Sequence, residues 1–109
     1  MKLAIALDGE NVSQHFGHCD QYAIFHIDGS NAIHHENLKS PKHEPGKLPV
    51  FLAEHKVNMV IAGGMGPKAV ELFNERGIKV ILGVSGTVDL VAKQFAEGLL
   101  KPGESSCHH

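Results

Sequence analysis

Val57-Asn58-Met59-Val60-Ile61-Ala62-Gly63-Gly64-Met65-Gly66-Pro67 decides the architecture of this 109-residue chain. Its first six residues are a short, mostly apolar run, which reads as a buried strand. The glycines end that strand, and Pro67 suits the first helical position, where a backbone N–H has no partner to lose. Val70 and Phe73, three apart with Ala69 and Leu72 beside them, give the following helix an apolar side, and Gly77 closes it. The theme then repeats. Ile78 to Val84 reads as a second apolar strand and Ser85 as an N-cap, while Val88, Val91, Ala92, Phe95 and Leu99 mark the apolar face of a further helix that Gly98 or Gly103 stops. Upstream, Pro49 fits an N1 position and Val50 to Lys56 a short helix.

The N-terminal half has a different period. Lys2 to Leu7 alternates large and small apolar residues, as expected of a strand covered on both faces. Tyr22 to Ile27 and the more polar Ala32 to Leu38 flank the turn Asp28-Gly29-Ser30-Asn31 and read as a hairpin with an edge strand. Ser40 to Lys47, with Pro41, Pro45 and Gly46, reads as a loop. The order β-β-β-α-β-α-β-α predicts an α/β fold: a mixed five-stranded sheet in the order 3-2-1-4-5, flanked by three helices on both faces. One domain is expected over residues 1–103, followed by a polar C-terminal tail over 104–109. Ligands of such sheets bind beyond the carboxyl ends of the parallel strands, at the switch point beside the first strand. Asp8 to Asp20, Gly63 to Gly66 and Gly83 to Gly86 lie there.

Composition narrows the function classes. Hydrophobic residues at 42% and charged residues at 20% are an ordinary globular balance that excludes disorder. A net charge of −2 gives no strong field for nucleic acid or an anionic membrane. No apolar run approaches the roughly 18 residues of a membrane span. The N-terminus reads as a strand rather than a secretory signal, so a cytoplasmic location is expected. Nine histidines accompany only two cysteines, Cys19 and Cys107, each beside histidine. That usage suits metal ligation better than a disulfide framework.

Three motifs carry candidate chemistry. His15-Phe16-Gly17-His18-Cys19 offers imidazole and thiolate ligands suited to Zn, Fe, Cu or metal–sulfide clusters, with Gly17 allowing close backbone approach. The competing reading has Phe16 plugged into the core and the histidines solvated. Cys107-His108-His109 is a tail of a kind that commonly lacks order, yet it could fold over a cluster and supply a last thiolate. Gly63-Gly64-Met65-Gly66 opens a helix without phosphate-loop spacing, and amides at that helix start favour an anion. There Gly64 reads as a tight-turn residue and Met65 as core packing or a soft contact to sulfide. Asp8 lacks the converging carboxylates a two-metal nuclease needs, and no nucleophile–base set is readable, so no enzymatic turnover is expected. His26, His34, His35, His43 and His55 share no spacing and are assigned to solvated faces.

Taken in register, the N-terminal strand ending in Asp-Gly, Ser13-Gln14-His15-Phe16-Gly17-His18-Cys19, Gly63-Gly64-Met65-Gly66, Gly83-Val84-Ser85-Gly86 and the terminal Cys-His-His resemble one family. It is the dinitrogenase iron–molybdenum cofactor biosynthesis family of cofactor-binding proteins, in its small single-domain form. The resemblance implies an RNase H-like motif and a non-catalytic binding, carrier or storage role for a metal–sulfur cluster (Fe–S, or a Mo, Fe or Cu sulfide). It assigns cofactor contacts to Phe16, Gly17, Gly63, Gly64, Met65 and Gly66. Metal ligation falls to His15, His18, Cys19, Cys107, His108 and His109. The tail departs from a Cys-Asp-His-His form by lacking the acid. Implied partners are cluster-assembly or acceptor proteins and a second copy of the chain in a homodimer, with no nucleic acid and no membrane. Nitrogen fixation does not follow. The alternative is a small anion- or nucleotide-binding regulatory module built on the glycine turns. The topology places His15, His18 and Cys19 opposite Gly63 to Gly66 across a shallow cleft.

Overall fold

The strand at the N-terminus is the hub of the fold. In the computed structural model, which describes residues 1–41 and 47–100, β1 (Lys2–Asp8) lies at the centre of a mixed sheet. On one side it pairs antiparallel with β3 (Gln21–Asp28), Leu3 opposite Phe25 and Ile5 opposite Ala23. β3 in turn pairs with β4 (Asn31–Lys39), the outer arm of the expected hairpin. On the other side β1 runs parallel to β5 (Met59–Ile61), and β5 runs parallel to β6 (Lys79–Ile81). The order β4-β3-β1-β5-β6 is the five-strand order read from the sequence. A sixth strand, β2 (Asn11–Val12), folds back antiparallel on the end of β1 and was not foreseen. Two residues, one of them a polar Asn, are too short to show a period of two.

Alternation along β1 explains the two-sided core. Ala4 and Ala6 face one layer, and Leu3, Ile5 and Leu7 face the other. The first layer holds Leu52 of α1 (Lys47–Glu54) and Phe73 of α2 (Pro67–Glu75), packed with Tyr22, Ile24 and Val60. Small alanines on β1 leave room there for the large rings. The second layer holds Val88, Val91 and Ala92 of α3 (Val88–Ala96) against Phe25, Ile61 and Leu3. Phe73 and Leu3 are fully buried, and each such side chain contributes about 1.5–3 kcal/mol of transfer free energy.

Several boundaries differ from the sequence reading. α1 begins at Lys47, so Pro49 is its third residue; proline is tolerated throughout the first turn, where amides lack helical partners. β5 covers only the middle of its expected run, and β6 only the first half of Ile78 to Val84. Thr87, not Ser85, is the N-cap residue of α3. That helix ends at Ala96 because Gly98 adopts φ +76°, which leaves Leu99 beyond the helix and 65% exposed rather than on its apolar face. No helix among the described residues is long and apolar enough to cross a membrane. Cys107, His108 and His109 lie outside the described residues, as do the last three positions of the expected domain, 101–103.

Candidate cofactor-binding edge

The segment after β1 is held by a chain of backbone hydrogen bonds. The Ser13 amide donates to Ala6 O at 2.8 Å, and Ser13 O accepts from the Gly63 amide at 2.8 Å. Three residues on, the Phe16 amide donates to Gly64 O at 3.0 Å. The loop therefore does not face the glycine turn across a gap but is docked on it. Ser13, only 1% exposed, shapes the bend: its hydroxyl donates to His15 O at 3.1 Å and accepts from the His15 amide at 3.2 Å. Such local serine bonds favour a turn over continued strand.

Phe16, Gly17 and His18 then form a single 3-10 turn, closed by the His18 amide on His15 O at 3.0 Å. Phe16 is its anchor. Its ring is 2% exposed, 5.3 Å from Phe73 in an edge-to-face arrangement and 5.2 Å from Tyr22. With that ring buried, His15 and His18 are both carried on the exposed side, ring centroids 6.2 Å apart and nearly perpendicular. Phe16 plugs the core and the two imidazoles stand outside it, which is the arrangement of the competing sequence reading.

Cys19 goes the other way. It is 2% exposed, and its Sγ–H donates to Phe16 O at 3.3 Å. The Tyr22 hydroxyl, also buried, donates to the same carbonyl at 3.2 Å. Burial pushes the Cys19 thiol up from its ordinary value, and the Asp8 carboxylate adds to the rise. Tyr22 is raised further, by burial and by its contact with Cys19. The structure thus brings His15 and His18 together and turns Cys19 inward as a protonated donor.

The glycine turn has two kinds of glycine. A Cβ on Gly63 would lie 2.7–2.8 Å from Gln14 Oε1, Cα and Cδ, and one on Gly64 would lie 2.9 Å from Gln14 O. These two are required by the docked loop, which accounts for their bareness without a ligand. Gly66, the N-cap residue of α2, and Gly17 each have nothing within 4 Å of such a Cβ. The open space therefore lies over Gly17 and Gly66, not over Gly63 and Gly64. Met65 is half-buried and packs against the layer that holds Phe16 and Phe73. Ser13 and Gln14 were read from the sequence only as the start of the loop motif and Tyr22 only as a strand residue, none with a role at the site; the Gly-Gly pair was the available signal that another segment comes close.

Among the described residues, no three His, Cys, Asp or Glu side chains gather round one point as a closed metal site does. The groups that stand open at this edge are two outward imidazoles, bare backbone at Gly17 and Gly66, and the amide end of α2.

The family described as "Dinitrogenase iron-molybdenum cofactor" matches residues 1–98. The uncharacterized protein MJ0580 of Methanocaldococcus jannaschii is 31% identical over 109 residues, covering 95% of this chain and 92% of its own. The crystal structure of PH0822 is 35% identical and superposes with a TM-score of 0.89, covering 96% of each chain. The apo form of the orange protein from Desulfovibrio gigas shares the fold, with a TM-score of 0.73 at 22% identity over 94% of this chain and 92% of that one. With its family match running from β1 through α3, the chain belongs to the dinitrogenase iron–molybdenum cofactor family.

Proposed function

We propose that this protein binds and carries a metal–sulfur cluster as cargo, without turning it over, at the sheet edge formed by the His15–His18 turn and the start of α2. The observation that carries the reading is the burial of Phe16 beneath two outward histidines, beside open backbone at Gly17 and Gly66. Neutral imidazole is a good ligand for iron or copper in a sulfide cluster. The α2 amides suit the negative charge such clusters carry. Membership of the family supports a cluster-related role.

In this reading His15 and His18 ligate, and Phe16, Gly17, Gly66 and Met65 shape the seat. Gly63 and Gly64 hold the loop in place. Cys19 joins only when the Phe16–Cys19 turn opens, because its thiol must leave the Phe16 carbonyl and lose its proton. Cys107, His108 and His109 are further donors from the tail. The partners are a cluster-assembly protein that loads the site and an acceptor that empties it.

Anaerobic reconstitution with iron, molybdate or copper plus sulfide tests the reading by visible absorption and metal analysis. A bound chromophore that the His15→Ala/His18→Ala variant loses supports it; full loading of that variant sinks it. One observation favours the alternative anion-binding module: α2 starts at Gly66 with no side-chain cap for its amides. Phosphate or nucleotide binding that survives the double histidine change, with no cluster uptake, would select that alternative.

A further inference from the structure

Away from the docked loop, the sheet brings a second pair of histidines into contact. His26 on β3 and His35 on β4 pack edge to face, ring centroids 4.7 Å apart and planes at 75°. The strand pairing explains how they meet. Ile24 is opposite Glu36 and Phe25 is opposite His34, so His35 is the extra residue of a bulge. Bulges re-aim a side chain. His34 lies against Phe25, whose side chain belongs to the α3 layer. His35 instead meets His26, which by alternation shares the face of Tyr22 and Ile24. All three polar groups reach solvent, and Glu36 Oε2 lies 3.5 Å from His35 Nε2.

Coordination geometry separates the two histidine pairs. Zinc–imidazole bonds of about 2.0–2.1 Å place the centroids of two rings on one tetrahedral ion about 5 Å apart. The His26–His35 centroids, 4.7 Å apart, lie near that separation, and rotation of the two exposed rings about their side-chain bonds is what brings a nitrogen of each to one ion, whereas His15–His18 at 6.2 Å is wider. We propose that His26 and His35 form a two-imidazole clip for a single divalent transition-metal ion of the copper–zinc type, separate from the cargo edge. Two protein ligands and solvent complete the coordination, in keeping with the lack of any three-residue metal cluster among the described residues. Glu36 acts on His35 from behind. A carboxylate that takes the Nε2–H of a histidine fixes the tautomer and presents Nδ1 to a metal. Closing the 3.5 Å separation by a few tenths of an ångström makes that hydrogen bond. Copper(II) binds such nitrogen sites more tightly than zinc.

The test is titration of the full-length chain with Zn²⁺, followed by the imidazole resonances in NMR, and with Cu²⁺, followed by its electron paramagnetic resonance. The expected result is that His26 and His35 resonances shift together and saturate with one ion. His26→Ala and His35→Ala should each weaken that binding at least about tenfold, and Glu36→Gln should weaken it by less. The His15→Ala/His18→Ala variant should retain it. These substituted side chains are exposed, and unchanged thermal unfolding confirms that each variant folds. Unshifted His26 and His35 resonances at excess Zn²⁺ overturn the proposal. So does undiminished nitrogen-coordinated copper in the His26→Ala/His35→Ala variant.

Discussion

The amide of Phe16 and the carbonyl of Gly64 are joined by one 3.0 Å hydrogen bond, and it sets the height at which the His15–His18 turn stands above the start of α2. Next to it, the Gly63 amide makes the matching bond to Ser13 O at 2.8 Å. Loop and turn behave as one piece, and the first prediction tests that.

Gly63→Ala should destabilise the chain by about 1–3 kcal/mol, because the new methyl meets the Gln14 backbone at 2.8 Å and not just a movable side-chain end. Gly17→Ala, with open space at the same position, should stay within about 0.5 kcal/mol. Urea titration measures both. If cargo sits over the turn, Gly17→Ala should still lower cluster retention.

Phe16→Ala should cost about 3–5 kcal/mol, since it empties the contact with Phe73 and Tyr22 in a fully enclosed layer. Thermal unfolding reads this directly. The loss of the anchor should also release His15 and His18 from their common side.

Tyr22→Phe should cost about 1 kcal/mol by removing one of the two donors to the Phe16 carbonyl, with Cys19 left to satisfy it. Cys19→Ala/Tyr22→Phe should cost more than the sum of the single changes, because only then is the buried carbonyl left bare. A double-mutant cycle in urea gives the coupling.

Stability should fall as the solution becomes alkaline. The Cys19 thiol is raised in the folded chain above its ordinary 9.0, so above that pH the unfolded chain loses a proton that the folded chain keeps. The unfolded state then gains, and stability present below pH 9 is lost progressively through the folded value. Tyr22 acts in the same direction from its own ordinary 10.0 upward. Urea midpoints at pH 8 and pH 10 should differ, and Cys19→Ala should make the difference smaller.

Much of this was legible in the sequence. The strand–glycine–helix stretch at 57–67 fixed the parallel half, and the Asp28–Asn31 turn fixed the hairpin, because each pairs a clear period with a clear breaker. β2 was not legible, since its pairing is imposed by the docked loop and not by its own two residues. Ser85 and Thr87 both look like caps; the backbone path through Gly86 at φ +110° decides for Thr87. At the site, the residue types in the His15–Cys19 loop were visible but their directions were not. Whether a thiol at the end of a turn points out or in depends on the room beside Phe16 and Tyr22, which is a property of the assembled core. His26 and His35 share no spacing because the bulge, a feature of strand pairing, brings them together.

The docked loop also reaches through to the opposite layer. Val12 donates to Gly86 O at 2.9 Å, the Val88 amide donates to Glu10 O at 2.9 Å, and Asn11 bridges Thr87. The same seven residues, 10–16, therefore pin the start of α3 on one face and the glycine turn before α2 on the other, as a rivet holds two plates. In native-state hydrogen exchange, the amides of Phe16, Gly63 and Val88 should open as a single cooperative unit with one shared free energy. A change that frees the histidine turn should then also loosen the first turn of α3, on the far side of the sheet.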